Sequence, residues 1–203
     1  MNNDEFLKII ATTAYNVGFG AKKHFATYDI VSKAPGAISF FSMAFGIYAL
    51  AFEALSVKFL SASFIILGII GLYISFYDSK KDEYENAGIE LTQLFNKLHR
   101  IYRQSKNADQ ETLAQYEQEL SEIETSYYDK AISKQIMFSD WYAHHKFFWQ
   151  QQIEWIDEQK HFKFLRDKVP LSLIATVVII SFIILGCWSG LFHKFYFLIK
   201  NCI

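Results

Sequence analysis

Three long stretches of this chain carry no charged residue, and they constrain its fold more than any other feature. Ala34 to Phe52 and Phe59 to Tyr77 hold 19 residues each, and Val169 to Phe192 holds 24. Wound as α-helices they would be about 28, 28 and 36 Å long, against a hydrocarbon core of roughly 30 Å. The rest of the chain is polar, so the averages hide the pattern: net charge is −1 and 20% of the residues are charged. Each segment reads as a membrane-spanning helix, and the chain as an all-α membrane protein.

Only Glu53 and Lys58 interrupt the stretch from Ala34 to Tyr77. As one helix it would measure about 66 Å, twice a bilayer, so it must turn back. An acidic residue at mid-span costs about 2.5–3.5 kcal/mol on insertion scales and much less at an interface. Glu53 to Lys58 is therefore the expected tip of a helical hairpin. The expected divisions are an N-terminal amphipathic helix (1–33), a transmembrane hairpin (34–77, spans 34–52 and 59–77), a cytoplasmic helical region (78–168), a third transmembrane helix (169–193) and a tail (194–203).

Basic residues orient this plan. Lys22, Lys23 and Lys33 precede the first span, Lys80, Lys81 and Lys97 follow the second, and Lys160, Lys163, Arg166 and Lys168 precede the third. The hairpin tip has Lys58 alone, and the tail has Lys194 and Lys200. The N-terminus and residues 78–168 are thus expected in the cytoplasm, and the C-terminus outside. The first 33 residues lack the apolar core of a signal peptide, so the first span is expected to be retained.

The polar regions read as helix. Apolar and small residues recur three and four apart at Leu7, Ile10, Ala14, Val17, Ala21, His24 and Tyr28, and again at Tyr84, Ala87, Leu91, Leu94, Leu98 and Ile101. A break at Asn107 to Asp109, with Asn107 and Gln110 as a weak capping box, precedes a third stripe of Leu113, Tyr116, Leu120, Ile123 and Tyr127. These are seams of packed helices or coiled coils. The two prolines, Pro35 and Pro170, fall in the opening turn of a span, where proline is tolerated.

Chemistry is sparse. Phosphate-cradling Gly-rich loops and the nucleophile-elbow pattern are absent. Of the six histidines, only Glu158-x-x-His161 has di-iron spacing, and that site needs a second such pair with two further glutamates. His144 and His145 are adjacent and point about 100° apart on a helix, which makes them poor chelators; a pH-sensing role for His144 is weighed against ordinary surface histidine. Cys187 and Cys202 do not make a disulfide framework. No enzyme activity, catalytic residue, cofactor or metal is expected, and the near-neutral charge argues against direct nucleic-acid binding.

Two features remain. Phe138 to Phe164 holds nine aromatics in 27 residues, and Trp141, Tyr142, Phe148, Trp149 and Trp155 are read as a partner or oligomer interface or a bundle core. Gly36, Ser39 and Gly46 in the first span, and Ser61, Gly68, Gly71 and Ser75 in the second, form small-residue stripes. Such stripes pack helices in lipid or line an oligomeric pore. The spans carry no charge, which speaks against a proton-coupled transporter.

The order of these features resembles a known family. Thr13-Ala14 and Phe19-Gly20-Ala21-Lys22-Lys23-His24 stand directly before the hairpin. Leu120-Ser-Glu-Ile123-Glu-Thr-Ser-Tyr127-Tyr128 and then Asp140-Trp141-Tyr142 follow in the long helical region. This resembles the SLATT family of bacterial two-span membrane effectors, associated with nucleotide-signalling and reverse-transcriptase defence systems, over residues 8–165. Family members commonly carry an arginine where this chain has Gly18. The third span lies beyond the two-span plan.

The resemblance implies an effector in the bacterial inner membrane that oligomerises, forms a pore or disrupts the bilayer, and arrests the infected cell. It implies as partners the lipid bilayer, further copies of the chain, and a defence-system sensor or a nucleotide-signalling or reverse-transcriptase protein. The alternative is a non-conducting anchor that recruits a soluble partner through its cytoplasmic helices.

Overall fold

The computed structural model describes residues 2–52 and 57–188. Among them there is helix and no strand. The helices are α1 (Asn3–Ala51), α2 (Val57–Asp78), α3 (Lys81–Ser105), α4 (Gln110–Lys130), α5 (Ser139–Gln150), α6 (Glu154–Lys160) and α7 (Leu171–Trp188), with a π-helical turn at Phe164–Lys168. The chain divides into two compact units, residues 1–161 and 162–203.

In the first unit α1 is the spine. It runs 49 residues, about 73 Å, through the expected boundary at residue 33 without a break. Pro35 therefore lies inside a helix rather than opening one. What changes at the boundary is burial. Phe6, Ile10, Ala14, Val17, Ala21, Ala26 and Val31 are buried, whereas Phe40, Phe41, Met43, Phe45, Ile47 and Leu50 are exposed. Of the stripe expected from the sequence, Leu7, Ile10, Ala14, Val17, Ala21 and His24 are buried and Tyr28 is half-buried. Phe6, Ala26 and Val31 are buried outside it, and α3 supplies the complement with Tyr84, Leu91, Leu94, Leu98 and Ile101.

The helices α2, α3, α5 and α6 pack along α1, while α4 packs mainly on α3. Gly18 sits where three of them meet: an added Cβ would lie 2.7 Å from the Phe95 ring and 2.9 Å from Phe147. The place where the resemblance leads one to expect an arginine is here a close helix crossing. Ion pairs bind α5 to α1, with Lys23 to Asp140 at 2.8 Å and Lys146 to Asp29 at 2.6 Å.

Two local readings change. The cap of α4 is Asp109, whose carboxylate accepts from Thr112 N–H at 2.9 Å, rather than the Asn107–Gln110 box. Val57 and Lys58 belong to the first turn of α2; the rest of the hairpin tip, 53–56, lies outside the described residues. In the stripe of α4, Leu113, Leu120 and Ile123 are buried and Tyr116 and Tyr127 half-buried.

Among the described residues, three helices are long and apolar enough to cross a membrane: the apolar half of α1, α2 from Leu60, and α7. Few residues in these stretches are buried within the chain. In water such surfaces would be prohibitive; in lipid they are the solvated surface. In the second unit, Arg166 pairs with Asp167 in the π-helical turn, and α7 begins one residue after Pro170. The end of the third expected span, the tail and Cys202 lie outside the described residues.

Candidate functional site: a strap at the base of the hairpin

Between α4 and α5 the backbone leaves the helix for residues 131–138. Nothing in Ala131-Ile-Ser-Lys-Gln-Ile-Met-Phe138 is a proline or glycine, and no pattern in the sequence predicts a break there. A segment off the helical ladder must find other partners for its N–H and C=O groups. Here side chains of three other helices supply them. Ile132 N–H donates to His24 Nε2 at 2.9 Å. The Lys134 carbonyl accepts from the Tyr84 hydroxyl at 2.6 Å, and the Gln135 carbonyl from Tyr77 at 3.4 Å. Met137 N–H donates to the Tyr73 hydroxyl at 3.1 Å.

The Gln135 side chain adds two further bonds. Gln135 donates to the Ile132 carbonyl at 2.7 Å and accepts from the Thr27 hydroxyl. Ile136 is buried with Val31, Ile74, Tyr77 and Tyr84, and Ala34, Ile38 and Ile132 pack around them. Residues 31–38 of α1 thus meet residues 74–77 of α2 far from the tip, so the two spans run antiparallel. The strap closes the base of their hairpin, tied to α1 through His24 and Thr27, to α2 through Tyr73 and Tyr77, and to α3 through Tyr84.

His24 fixes its own protonation. Nδ1 lies 2.7 Å from the Gly20 carbonyl and must donate, while Nε2 must accept from Ile132 N–H. Only the neutral ring with its proton on Nδ1 satisfies both. Burial holds the His24 pKa below its ordinary 6.5, and the charge of Lys23 acts in the same direction against the Gly20 bond. Tyr84, 6.2 Å away ring to ring, is pushed up by burial. A cleft of about 280 Å³ opens beside this ring, lined by Gly20, Lys23, Tyr127, Tyr128 and Gln135 among others.

The residues expected at sites fall in different places. Gly36, Gly46, Gly68 and Gly71 face open space: nothing lies within 4 Å of an added Cβ at any of them. Ser39 and Ser75 turn their hydroxyls back to carbonyls of their own helices, and Ser61 is exposed on α2. The aromatic-rich stretch divides. Trp155 is buried in the bundle, stacked on His99 at 4.8 Å and near Tyr102 and Phe95, so it presents no face to a partner. Phe147, also buried, meets Tyr15 and Phe19 edge-on, and Phe148 packs beside it.

Tyr142 lies under the Lys146 ammonium at 4.6 Å, Trp141 pairs with Phe138 at 4.8 Å, and Trp149 is 63% exposed. Glu158 is engaged by Lys106 and the Tyr102 hydroxyl, and the Lys106 bond holds its carboxyl below the usual range. No group of three or more potential metal ligands occurs among the described residues. His24 and Tyr84 were visible in the sequence only as seam positions, and Tyr73 and Tyr77 only as part of the second span, because what they bind is the backbone of a segment 50 to 108 residues away.

Residues 1–177 match the family model described as SMODS and SLOG-associating 2TM effector domain 6. The match takes in the whole first unit and ends within α7. No curated protein and no solved structure shows a significant match.

Proposed function

We infer, because the chain belongs to the family of SMODS and SLOG-associating 2TM effector domains, that it is the membrane effector of a bacterial anti-phage defence system. Its hairpins gather in oligomers that perforate or disrupt the inner membrane and arrest the infected cell. The orientation that fits the basic residues puts the N-terminus and residues 78–168 in the cytoplasm.

One observation carries this reading. The hairpin presents Gly36, Gly46, Gly68 and Gly71 on faces with no neighbour from its own chain. Small residues let backbones approach closely in lipid, where no hydrophobic drive joins helices. Faces left open in one copy suit packing against another. The strap supplies a point of control, since it binds both spans and the cytoplasmic helices. A sensor protein that pulls on α4 or α5 would change how the hairpin base is held.

Expression with the defence trigger should depolarise cells, read with a potential-sensitive dye. Gly68→Leu and Gly71→Leu should reduce that depolarisation while the protein still accumulates in the membrane. A normal potential under every trigger would sink the pore reading. Exposure of Trp149 and Tyr128 (63% and 76%) favours the second reading, a non-conducting anchor for a soluble partner. That anchor would stop growth with the potential intact, and would lose its effect in Trp149→Ala rather than in Gly68→Leu.

A further inference from the structure

The turn that ends the strap breaks a local rule. Ser139 N–H donates to the Ile136 carbonyl at 3.2 Å, closing a turn whose third residue, Phe138, has φ 69°. That left-handed conformation suits glycine or asparagine; for a bulky aromatic residue it is strained. Strain of this kind persists where the surroundings over-determine it, and it clusters at functional sites. The Phe138 ring is 55% exposed, and Met137 beside it is 60% exposed. Two large apolar side chains thus sit outward at the apex of a strained turn.

Their level in the molecule is fixed by their neighbour. Ile136 is buried against Val31, Ile74 and Tyr77. Ile74 is four residues before Asp78, the first charge after the second span, so it lies about 6 Å along the helix from that charge. Met137 N–H is bonded to Tyr73, one residue further into the span. Around this level stand the exposed rings of Tyr73 and Phe76 and the ammonium groups of Lys33 and Lys81. Aromatic rings with cationic side chains just outside them are the composition of a bilayer's headgroup boundary.

We propose that Met137 and Phe138 form a wedge that enters the cytoplasmic headgroup boundary of the bilayer crossed by the hairpin, with Trp141 behind Phe138 as its support. The occupant of this patch is lipid, because the patch continues the apolar surface of α2 at the depth where that surface leaves the membrane. The wedge makes the strap a membrane-seated element and not a cytoplasmic loop. The proposal rests on the hairpin spanning the bilayer.

The test uses the full chain in phosphatidylcholine–phosphatidylglycerol vesicles. In a Cys187→Ser, Cys202→Ser background, a small fluorophore is attached at Met137→Cys, at Phe76→Cys on α2, and at Gln118→Cys on the exposed face of α4. The strap holds Met137 through its backbone, so the cysteine keeps that bond. Lipids with a nitroxide near the headgroup should quench the label at 137 at least twofold more than lipids with the nitroxide at the chain end, with iodide having little effect.

Iodide quenching at 137 equal to that at 118, with the label at 76 quenched by lipid, overturns the wedge and leaves the hairpin standing. Failure of lipid to quench at 76 overturns the spanning hairpin and the wedge together. Protection of 137 from both lipid and iodide means that another protein surface covers it, and the wedge is wrong. A label at Phe138→Cys repeats the measurement one residue on and must agree.

Discussion

The two halves of α1 are one helix with opposite solvation. From Phe6 to Val31 its apolar residues, Ile9 excepted, are buried or half-buried in the bundle; from Phe40 to Leu50 the large ones are exposed. Both halves are apolar along one face or more, yet only the first assembles a core within its own chain. In water an apolar stripe gains about 25 cal/mol per Å² when covered, so it recruits partner helices. In lipid that drive is absent and the same kind of side chain is left outward. A helix that crosses from one solvent to the other shows the change directly.

The comparison breaks most sharply at paired aromatic positions. Phe147→Ala, fully buried against the water-side half of α1, should cost about 3–5 kcal/mol in reversible unfolding in detergent. Phe45→Ala, half exposed on the span, should cost a small fraction of that. Equal losses would mean that the exposed half has a protein partner. Bulk added at glycine gives the next contrast. Gly18→Leu drives atoms into Phe95 and Phe147 and should cost about 1–3 kcal/mol, read as a lower chemical midpoint. Gly46→Leu meets nothing within the chain and should leave that midpoint in place.

The junction between the halves is probed by smaller changes. Tyr84→Phe removes the hydroxyl from the Lys134 carbonyl and so deletes a part-buried hydrogen bond, at a cost of about 0.5–1.5 kcal/mol. Faster hydrogen exchange confined to residues 131–138 would identify the loss with the strap. The gentlest probe is pH. Because the folded state depresses the His24 pKa below 6.5, the folded chain binds fewer protons than the unfolded chain as the pH falls past that value. The stabilisation is complete above pH 6.5 and is lost as the pH drops towards the folded pKa. His99 shifts the same way, through burial on the Trp155 ring, so the His24 contribution is the difference between the wild type and His24→Gln. Identical pH profiles for the two proteins would show that His24 does not hold the strap.

Much of the fold was legible because it follows from short-range patterns. The seams of α1 and α3 were read at their residues: Ile10, Ala14, Val17 and Ala21 on one, Leu91, Leu94 and Leu98 on the other. A three-four spacing of apolar residues is a local property with one global solution, burial of that face. The candidate site was almost illegible. Residues 131–138 contain no residue that forbids a helix, and His24, Tyr73, Tyr77 and Tyr84 lie 50 to 108 positions from the atoms they bond. The aromatic stretch was legible as a cluster, but its division into core Trp155 and exposed Trp149 was not.

The sequence by itself therefore determined how many segments can cross a bilayer, that they form a hairpin and a separate third helix, and which stripes pack. Those outcomes depend on length, on charge and on the helical period, which are written in consecutive residues. The tertiary structure alone decided that the expected boundary at residue 33 is no break, that Gly18 is a helix crossing, and that a strap of eight residues gives up its own hydrogen-bond ladder. The physical reason is the same in each case. A backbone leaves its preferred helix only when other groups satisfy it, and those groups are brought together by folding and not by order along the chain.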